Sequence, residues 1–420
     1  MTGHVHGRET PAPVQLATFV RVAPADHHAD HDMASLALAR QLASTPSVSG
    51  AEADAVALVA GAMRALDYDE VQVDRSGNAI GTMHGGDGSR LLIDGHVDTI
   101  PLHSAERWSF DPFGGQVHDG RLYGLGICDQ KASIAAAVHG VARARREHRL
   151  HGPVAVVASV CEEAMEGQAL APVVAGFQPD IVITTEPNDT RLGIGQRGRA
   201  KIEVTVTGRA CHAGHSREGV NAVAALAALI GEAGRVEHPA HPDLGRRDLT
   251  CIDIASWPYP SVSTVPGRAQ ARFDCRFLPG ESPGSLLALL EECGWAAWGD
   301  WPERPVLEVA LVRAEFSTWT QARFEAEEFC AAWWTDEDSA PVVRAKSALT
   351  EAGLDPTPTC YRFCTNGSLT AGDLGIPTLG FGVGVEAMAH QVDEHVTLAS
   401  LAAGERGYTA LASHLTAGGR

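Results

Sequence analysis

RLLIDGHVDT, residues 90–99, decides the fold. The run Leu91-Leu92-Ile93 is apolar without alternation, which marks a short strand buried on both faces. The run stops at His96 and Asp98, so a metal-capable pair stands where the strand ends. PVAVVASV (153–160) and DIVITT (180–185) repeat the pattern. Helical spacing lies between and around them, over about 133–147 and 167–177. Strands alternating with helices define an α/β fold with a mostly parallel sheet and helices on both faces.

Upstream, Ser49 with Glu52 three residues later has the form of a capping box. Val56, Val59, Met63 and Leu66 then follow at helical spacing. Residues 71–83 read as a hairpin turning at Ser76-Gly77-Asn78. The first 32 residues mix Pro, His and Asp without apolar period, and are expected to be a flexible or surface-draped tail.

After Gly198 the character changes. AKIEVTVTG (200–208) alternates like a half-buried strand, and NAVAALAALIGEA (221–233) is helical. Strands at 249–257 and 269–277, a helix at 285–294 and a strand at 305–312 complete a β-α-β-β-α-β order, the ferredoxin-like arrangement. The expected organisation is therefore a catalytic domain over 33–197 and 313–420, with a second domain, 198–312, inserted into it. A helix near 341–353, strands near 358–364 and 377–382 and a helix after Leu398 resume the first pattern. Residues 313–340, rich in Trp and acidic groups, show no period and read as a long surface excursion.

Composition narrows the function classes. The 420 residues are 45% hydrophobic and 20% charged, enough for a large core and two or three domains. A formal net charge of −19 argues against non-specific nucleic-acid binding. No apolar run has membrane-spanning length, and the start lacks the basic-then-apolar form of a secretory signal. Nine scattered cysteines suit a reducing cytoplasm better than a disulfide scaffold. Cys360 and Cys364 have no matching second pair and read as ordinary thiols.

In an open parallel sheet, sites form at the carboxyl ends of strands. His96 and Asp98 end the first buried strand. Glu162 and Glu163 follow the second, and Glu186 follows the third. Asp129 lies in the glycine-rich turn GLGICDQK before a helix, and His390 ends FGVGVEAMAH. Any one of these alone is an ordinary polar loop residue; the whole set at sheet ends is hard to explain as caps. Two histidines and three carboxylates can hold two divalent ions if one carboxylate bridges. Two such ions activate water and polarise a carbonyl, and a further carboxylate must move the proton to the leaving nitrogen. The adjacent Glu162 and Glu163 suit that division, one base and one ligand. Asp98 is placed to hold the far nitrogen of His96.

DGHVDT, YGLGICDQKAS, CEEAMEG, TTEPND, CHAGHSREGVNA, RFDCRF and FGVGVEAMAH together resemble the M20 metallopeptidases, the group of acetylornithine deacetylase and succinyl-diaminopimelate desuccinylase. The matching stretches run in the family's order over nearly the whole chain after residue 40. TEP, QRGR, TNG (365–367) and the region before Trp319 most resemble a branch linked to selenium metabolism. The resemblance implies that Asp129 bridges two ions, that His390 and Glu163 complete one site and His96 and Glu186 the other, and that Glu162 is the general base. It implies zinc, with cobalt and manganese also suited. His212, in the inserted domain, would reach a partner subunit's site in a homodimer and stabilise the oxyanion. Arg276 and Arg197 would bind the substrate carboxylate. Three departures bear on substrate choice: Ser263-Thr264-Val265-Pro266 where an Asn is common, Leu125 where Arg is common, and Asn366, a substrate-contact candidate, where many members have Asp.

The reading is thus an amidohydrolase acting on an N-acyl amino acid or a related carboxylate-bearing amide, with no nucleic-acid or membrane partner. A dipeptidase or aminopeptidase recognising a free amino terminus is the runner-up, disfavoured because it needs an acidic pocket and the sequence offers arginines instead, at Arg197, Arg199 and Arg276. A dead metal-binding relative is a third reading, against which every ligand and Glu162 are present. GIGQRG (193–198) matches a dinucleotide fingerprint but precedes a strand instead of the helix that motif requires, so it reads as a hinge. No G-x-S-x-G elbow is present.

Overall fold

The computed structural model describes residues 34–418; the N-terminal tail lies outside them. Leu91–His96 sits mid-sheet, paired in parallel with Val154–Ser159 on one side and Ile181–Thr184 on the other. Thr378–Gly380 continues the parallel run beyond Ile181–Thr184. The nine-stranded sheet is completed by the antiparallel hairpin Glu70–Val73/Ala79–Met83 at one end and, at the other, by Leu192–Gln196, which pairs antiparallel with Trp333–Trp334 and in parallel with Pro358–Tyr361.

Alternate residues of the central strands feed two cores, as a strand of period two dictates. Leu91, Ile93, Val154 and Val156 join one core, with helices Ala53–Ala65, Ala132–Arg146 and Leu398–Thr416 over them. Leu92, Ala155, Val157 and Val182 join the other, under the short helix Ala171–Phe177. Burial on both faces explains the unbroken apolar runs. Ala132–Arg146 and Leu398–Thr416 approach closely because their facing residues are small; a Cβ on Gly140 would stand 2.8 Å from the Glu405 carbonyl oxygen.

A second, five-stranded antiparallel sheet takes Asp248–Trp257, Arg268–Phe277, Gly198–Thr207 and Val306–Leu311 in that order, with Phe329–Cys330 also on Gly198–Thr207. Helices Ala222–Ala233 and Pro283–Ala297 pack one face around Leu226, Leu229, Phe273 and Leu290. Asn221 caps the first helix through the Val223 and Ala224 N–H groups. Ser282 and Ser285 form a capping box on the second.

Two expectations need correction. Residues 313–340 are not a loose excursion. They form the hairpin Arg313–Ser317/Arg323–Glu327, then one strand in each sheet. The hairpin tip is fastened to the turn before Ala79–Met83, with Trp319 Nε1 donating to the Gly77 carbonyl at 3.1 Å. Its period is hidden because successive short pieces serve different sheets. Nor do Ser49 and Glu52 make a capping box: no side chain caps Ala53–Ala65. Both side chains turn to the loops at the sheet's carboxyl end instead. Among the described residues no helix is long and apolar enough to cross a membrane.

Candidate active site

The three central parallel strands end side by side, and their last residues converge. His96 Nε2 stands 3.3 Å from Asp129 Oδ1, 3.8 Å from Glu162 Oε2 and 4.0 Å from Glu186 Oε1. His390 Nε2 stands 3.3 Å from Asp129 Oδ2 and 2.8 Å from Glu163 Oε1. Asp129 therefore offers one oxygen to each imidazole. The donor triads His96–Glu162–Glu186 and His96–Asp129–Glu163 each fall within 4.8 Å. All five ligand candidates, with Glu162, line one cavity of about 330 Å³.

Burial and like charge crowd this cluster. Burial raises Glu162 well above the usual carboxylate range; His96 opposes this, and Glu186, Glu166 and Glu163 add to it. Glu186 is raised likewise, by burial and by Asp129. His390 is pushed up to about 10 by its hydrogen bonds to Asp129 and Glu163. Burial works against ionised Asp129, but His390 and His96 hold it well below the ordinary value. Asp129 Oδ1 and Glu162 Oε1 are buried with no hydrogen-bond donor. Orphaned carboxylate oxygens beside two imidazoles are the donor set a zinc-like ion takes, so the residues fit the expected metals.

Backbone and carboxylate contacts aim these groups. Asp98 holds the far nitrogen of His96: its main-chain carbonyl lies 3.0 Å from His96 Nδ1 and its Oδ1 3.6 Å. Its carboxylate accepts the Glu162 and Glu163 N–H groups, each at 3.1 Å, and the Ser49 hydroxyl at 2.7 Å. Glu52 accepts the Gly50 and Cys161 N–H groups. Glu394, which the sequence reading missed, is 1% exposed and accepts three N–H bonds from the Asp129 turn. These come from Gly126 at 2.9 Å, Cys128 at 2.8 Å and Asp129 at 3.1 Å. The turn itself needs Gly126, whose φ is +76° and whose added Cβ would stand 2.2 Å from Thr99 Cγ2. The available signal for Glu394 was its place in HQVDEHV, four residues past His390.

The substrate-binding expectations divide. Arg276 lines the cavity, its Nε donating to Asp274 Oδ1 at 2.8 Å. Arg197 does not line it. It is held where the chain passes from the first sheet to the second, by Asp248 Oδ2 and the Arg246 carbonyl, both at 2.6 Å. Arg199 lines the cavity in its stead, paired to Glu166 Oε2 at 2.7 Å. Asn366 is buried behind the site, donating to Asp94 Oδ2 at 2.8 Å and accepting the Gly167 N–H at 2.6 Å. It supports the loop behind the ligands and is not among the cavity-lining residues. His212 is exposed in the second sheet's domain, its Nδ1 accepting the Gly214 N–H, and is not among this chain's cavity residues. A second cavity, about 390 Å³, lies by Trp334 and Cys360 but gathers no histidine.

A cluster of carboxylates and imidazoles, largely buried apart from His390, at the carboxyl ends of a parallel sheet with arginines in the wall defines a metal-dependent amide hydrolase. The chain belongs to peptidase family M20/M25/M40, whose model matches residues 92–414. It is 28% identical to the Escherichia coli protein YgeY over 363 residues, covering 84% of this chain and 88% of that one. It is 30% identical to the succinyl-diaminopimelate desuccinylase of Methylobacterium radiotolerans over 406 residues, covering 90% and 95%. Among solved structures it resembles the aminopeptidase PepT of Bacillus cereus, with TM-score 0.71, 18% identity and coverage of 91% and 98%. The Bacillus subtilis YxeP protein, described as a dinuclear metal-binding peptidase, superposes with TM-score 0.68 at 13% identity, covering 91% and 97%.

Proposed function

We propose that this chain is a dinuclear-metal amidohydrolase that removes the acyl group from an N-acyl amino acid or cleaves a related carboxylate-bearing amide. The observation that carries the reading is Asp129, with one oxygen 3.3 Å from each of two imidazoles and further carboxylates on either side. Asp129 would be shared between the two ions, with His96 and Glu186 to hold one and His390 and Glu163 to hold the other. Zinc suits this donor set, as do cobalt and manganese. When bound, two such ions supply Lewis acidity to the scissile carbonyl and lower the pKa of water.

The chain's own groups do the rest. Glu162, crowded and buried, takes the proton from water at one carboxylate oxygen and passes it to the leaving nitrogen. Asp98 keeps Glu162 and Glu163 pointing apart by binding both N–H groups. Arg276 binds the substrate carboxylate, while Arg199 stays paired with Glu166. His212 serves a partner subunit's site. The exposed strand Asp248–Trp257, with Ile252 53% and Ile254 60% exposed, is the edge through which two copies pair. All nine cysteines are free, in keeping with a cytoplasmic enzyme.

A screen of N-acyl amino acids and carboxylate-terminated dipeptides against the zinc- and cobalt-loaded protein tests the reading. Release of a free amino acid, lost with chelator and restored by metal, is the expected result. Turnover confined to peptides with a free amino terminus would favour an aminopeptidase or dipeptidase instead. Glu386, the acidic wall residue near Arg362, would then be the amine's partner.

A further inference from the structure

The same cavity wall carries a second set of donors that hydrolysis does not use. Glu166, Cys330 and Cys364 place a carboxylate oxygen and two thiol sulfurs within 4.8 Å of one another, all three side chains buried. Cys330 Sγ stands 3.1 Å from Glu166 Oε2. The three come from separate parts of the fold. Glu166 follows the strand Val154–Ser159. Cys330 pairs with Arg199 at the start of the second sheet. Cys364 follows Pro358–Tyr361 and contacts the Arg197 carbonyl. Glu166 and Cys364 both face the cavity, so the group is open to solutes that reach the site.

Buried cysteines are usually small apolar fillers. This pair differs in its company: among the described residues, the other donor groups of this kind are the two built on His96. We propose that Cys330, Cys364 and Glu166 form a third cation site, selective for a thiophilic divalent ion such as zinc or cadmium.

Sulfurs bound at about 2.3 Å to one tetrahedral ion stand roughly 3.8 Å apart. Donors already within 4.8 Å reach that spacing by small side-chain rotations. Arg199 donates to Glu166 Oε2 at 2.7 Å and holds that carboxylate beside the Cys330 sulfur, whose S–H donation an ion would replace. Charge also balances. Two thiolates and one carboxylate are offset by the ion and by the Arg199 guanidinium, so no net charge is buried. Binding converts two thiols to thiolates and releases two protons, so the site weakens as pH falls. The fourth position faces the cavity and takes water. An ion here ties the strand Phe329–Cys330 of the second sheet to two loops of the first, and so braces the passage between them at Arg197–Gly198.

The test uses the reduced, metal-loaded enzyme, titrated with cadmium while ultraviolet absorbance reports thiolate-to-cadmium charge transfer. Carboxylate and imidazole sites give no such band, so the readout stands even if the dinuclear reading fails. The expected result is one band-forming equivalent per chain. C330S and C364S should each lose it, while C360S keeps it. Alkylation mapped by mass spectrometry on the unmodified chain gives a second readout that needs no variant. Cadmium should protect Cys330 and Cys364 together. No band, or a band that survives both serine variants without protection of the pair, overturns the site. So does recovery of a Cys330–Cys364 disulfide that, once reduced, binds no third equivalent.

Discussion

Removing the Glu394 side chain should loosen the turn that carries Asp129, and its size can be worked from the contacts. The carboxylate is buried and accepts three N–H groups, one on Oε2 and two on Oε1. Burial, with the neighbouring Asp129 charge, pushes its pKa up to about 8 against the pull of those N–H bonds. A neutral acceptor is worth about 1 kcal/mol per bond, and a charged one about 1.5–3. Water entering the space left by Glu394→Ala recovers part of this. The net loss should be about 3–6 kcal/mol, a large share of a typical stability. Glu394→Gln can keep its amide oxygen on the Cys128 and Asp129 N–H groups, but then turns NH₂ towards Gly126. One bond is lost, at about 1–3 kcal/mol. Urea unfolding followed by tryptophan fluorescence, with metal content measured after gel filtration, should rank wild type above Gln above Ala in both midpoint and retained metal. If the Ala variant unfolds within about 0.5 kcal/mol of wild type and retains its full metal, the turn is held by something other than Glu394.

Four further outcomes are expected. Metal analysis after full loading should find two ions per chain, and Asp129→Asn should leave fewer; one ion in the wild type removes the bridge. Glu162→Gln should keep its metal and lose about 10²–10⁴-fold in turnover, whereas near-normal activity moves the base elsewhere. His212→Ala should cost about 2.7–4 kcal/mol of barrier, and mixing it with Glu162→Gln under subunit exchange should restore activity; a dead mixture with proven exchange refutes the cross-subunit role. His139 is half-buried with its pKa lowered by burial and then by Arg146, against Glu405. The unfolded chain therefore takes up a proton near pH 6.5 that the fold resists, and stability falls as pH drops below that value. His139→Gln should flatten the acid limb of the stability curve relative to wild type, and an unchanged slope would show that this histidine does not contribute.

The substrate-facing contacts were the least legible from sequence. Arg197 and Arg199 are two residues apart, which on one strand would put them on one face. Between them the chain leaves the first sheet for the second, at a glycine whose added Cβ would meet the Phe277 ring at 2.2 Å. That break sends Arg197 to Asp248 and Arg199 to the cavity. Asn366 looked like a contact residue from its motif, yet its partner is Asp94, 272 positions away. Asp98 stands beside His96 as its spacing implies, but that its carbonyl makes the closer contact, 3.0 Å against 3.6 Å for its carboxylate, depends on how the backbone turns after the strand.

What the sequence by itself determined was local or chemical. Apolar runs marked strands buried on both faces because side-chain period follows backbone geometry, and the β-α-β-β-α-β order followed from the same periods. The His, Asp and Glu set stood out because few residue types bind metal and because parallel strands end together. Only the tertiary structure decided which carboxylates support that set. Glu394 meets the Asp129 turn across 265 residues or more, and Glu166, Cys330 and Cys364 meet across 34 to 198 positions. Such contacts leave no period in the chain, since each is fixed by the packing of elements that are distant in sequence, and a lone acid or thiol reads the same whether it faces solvent or a site.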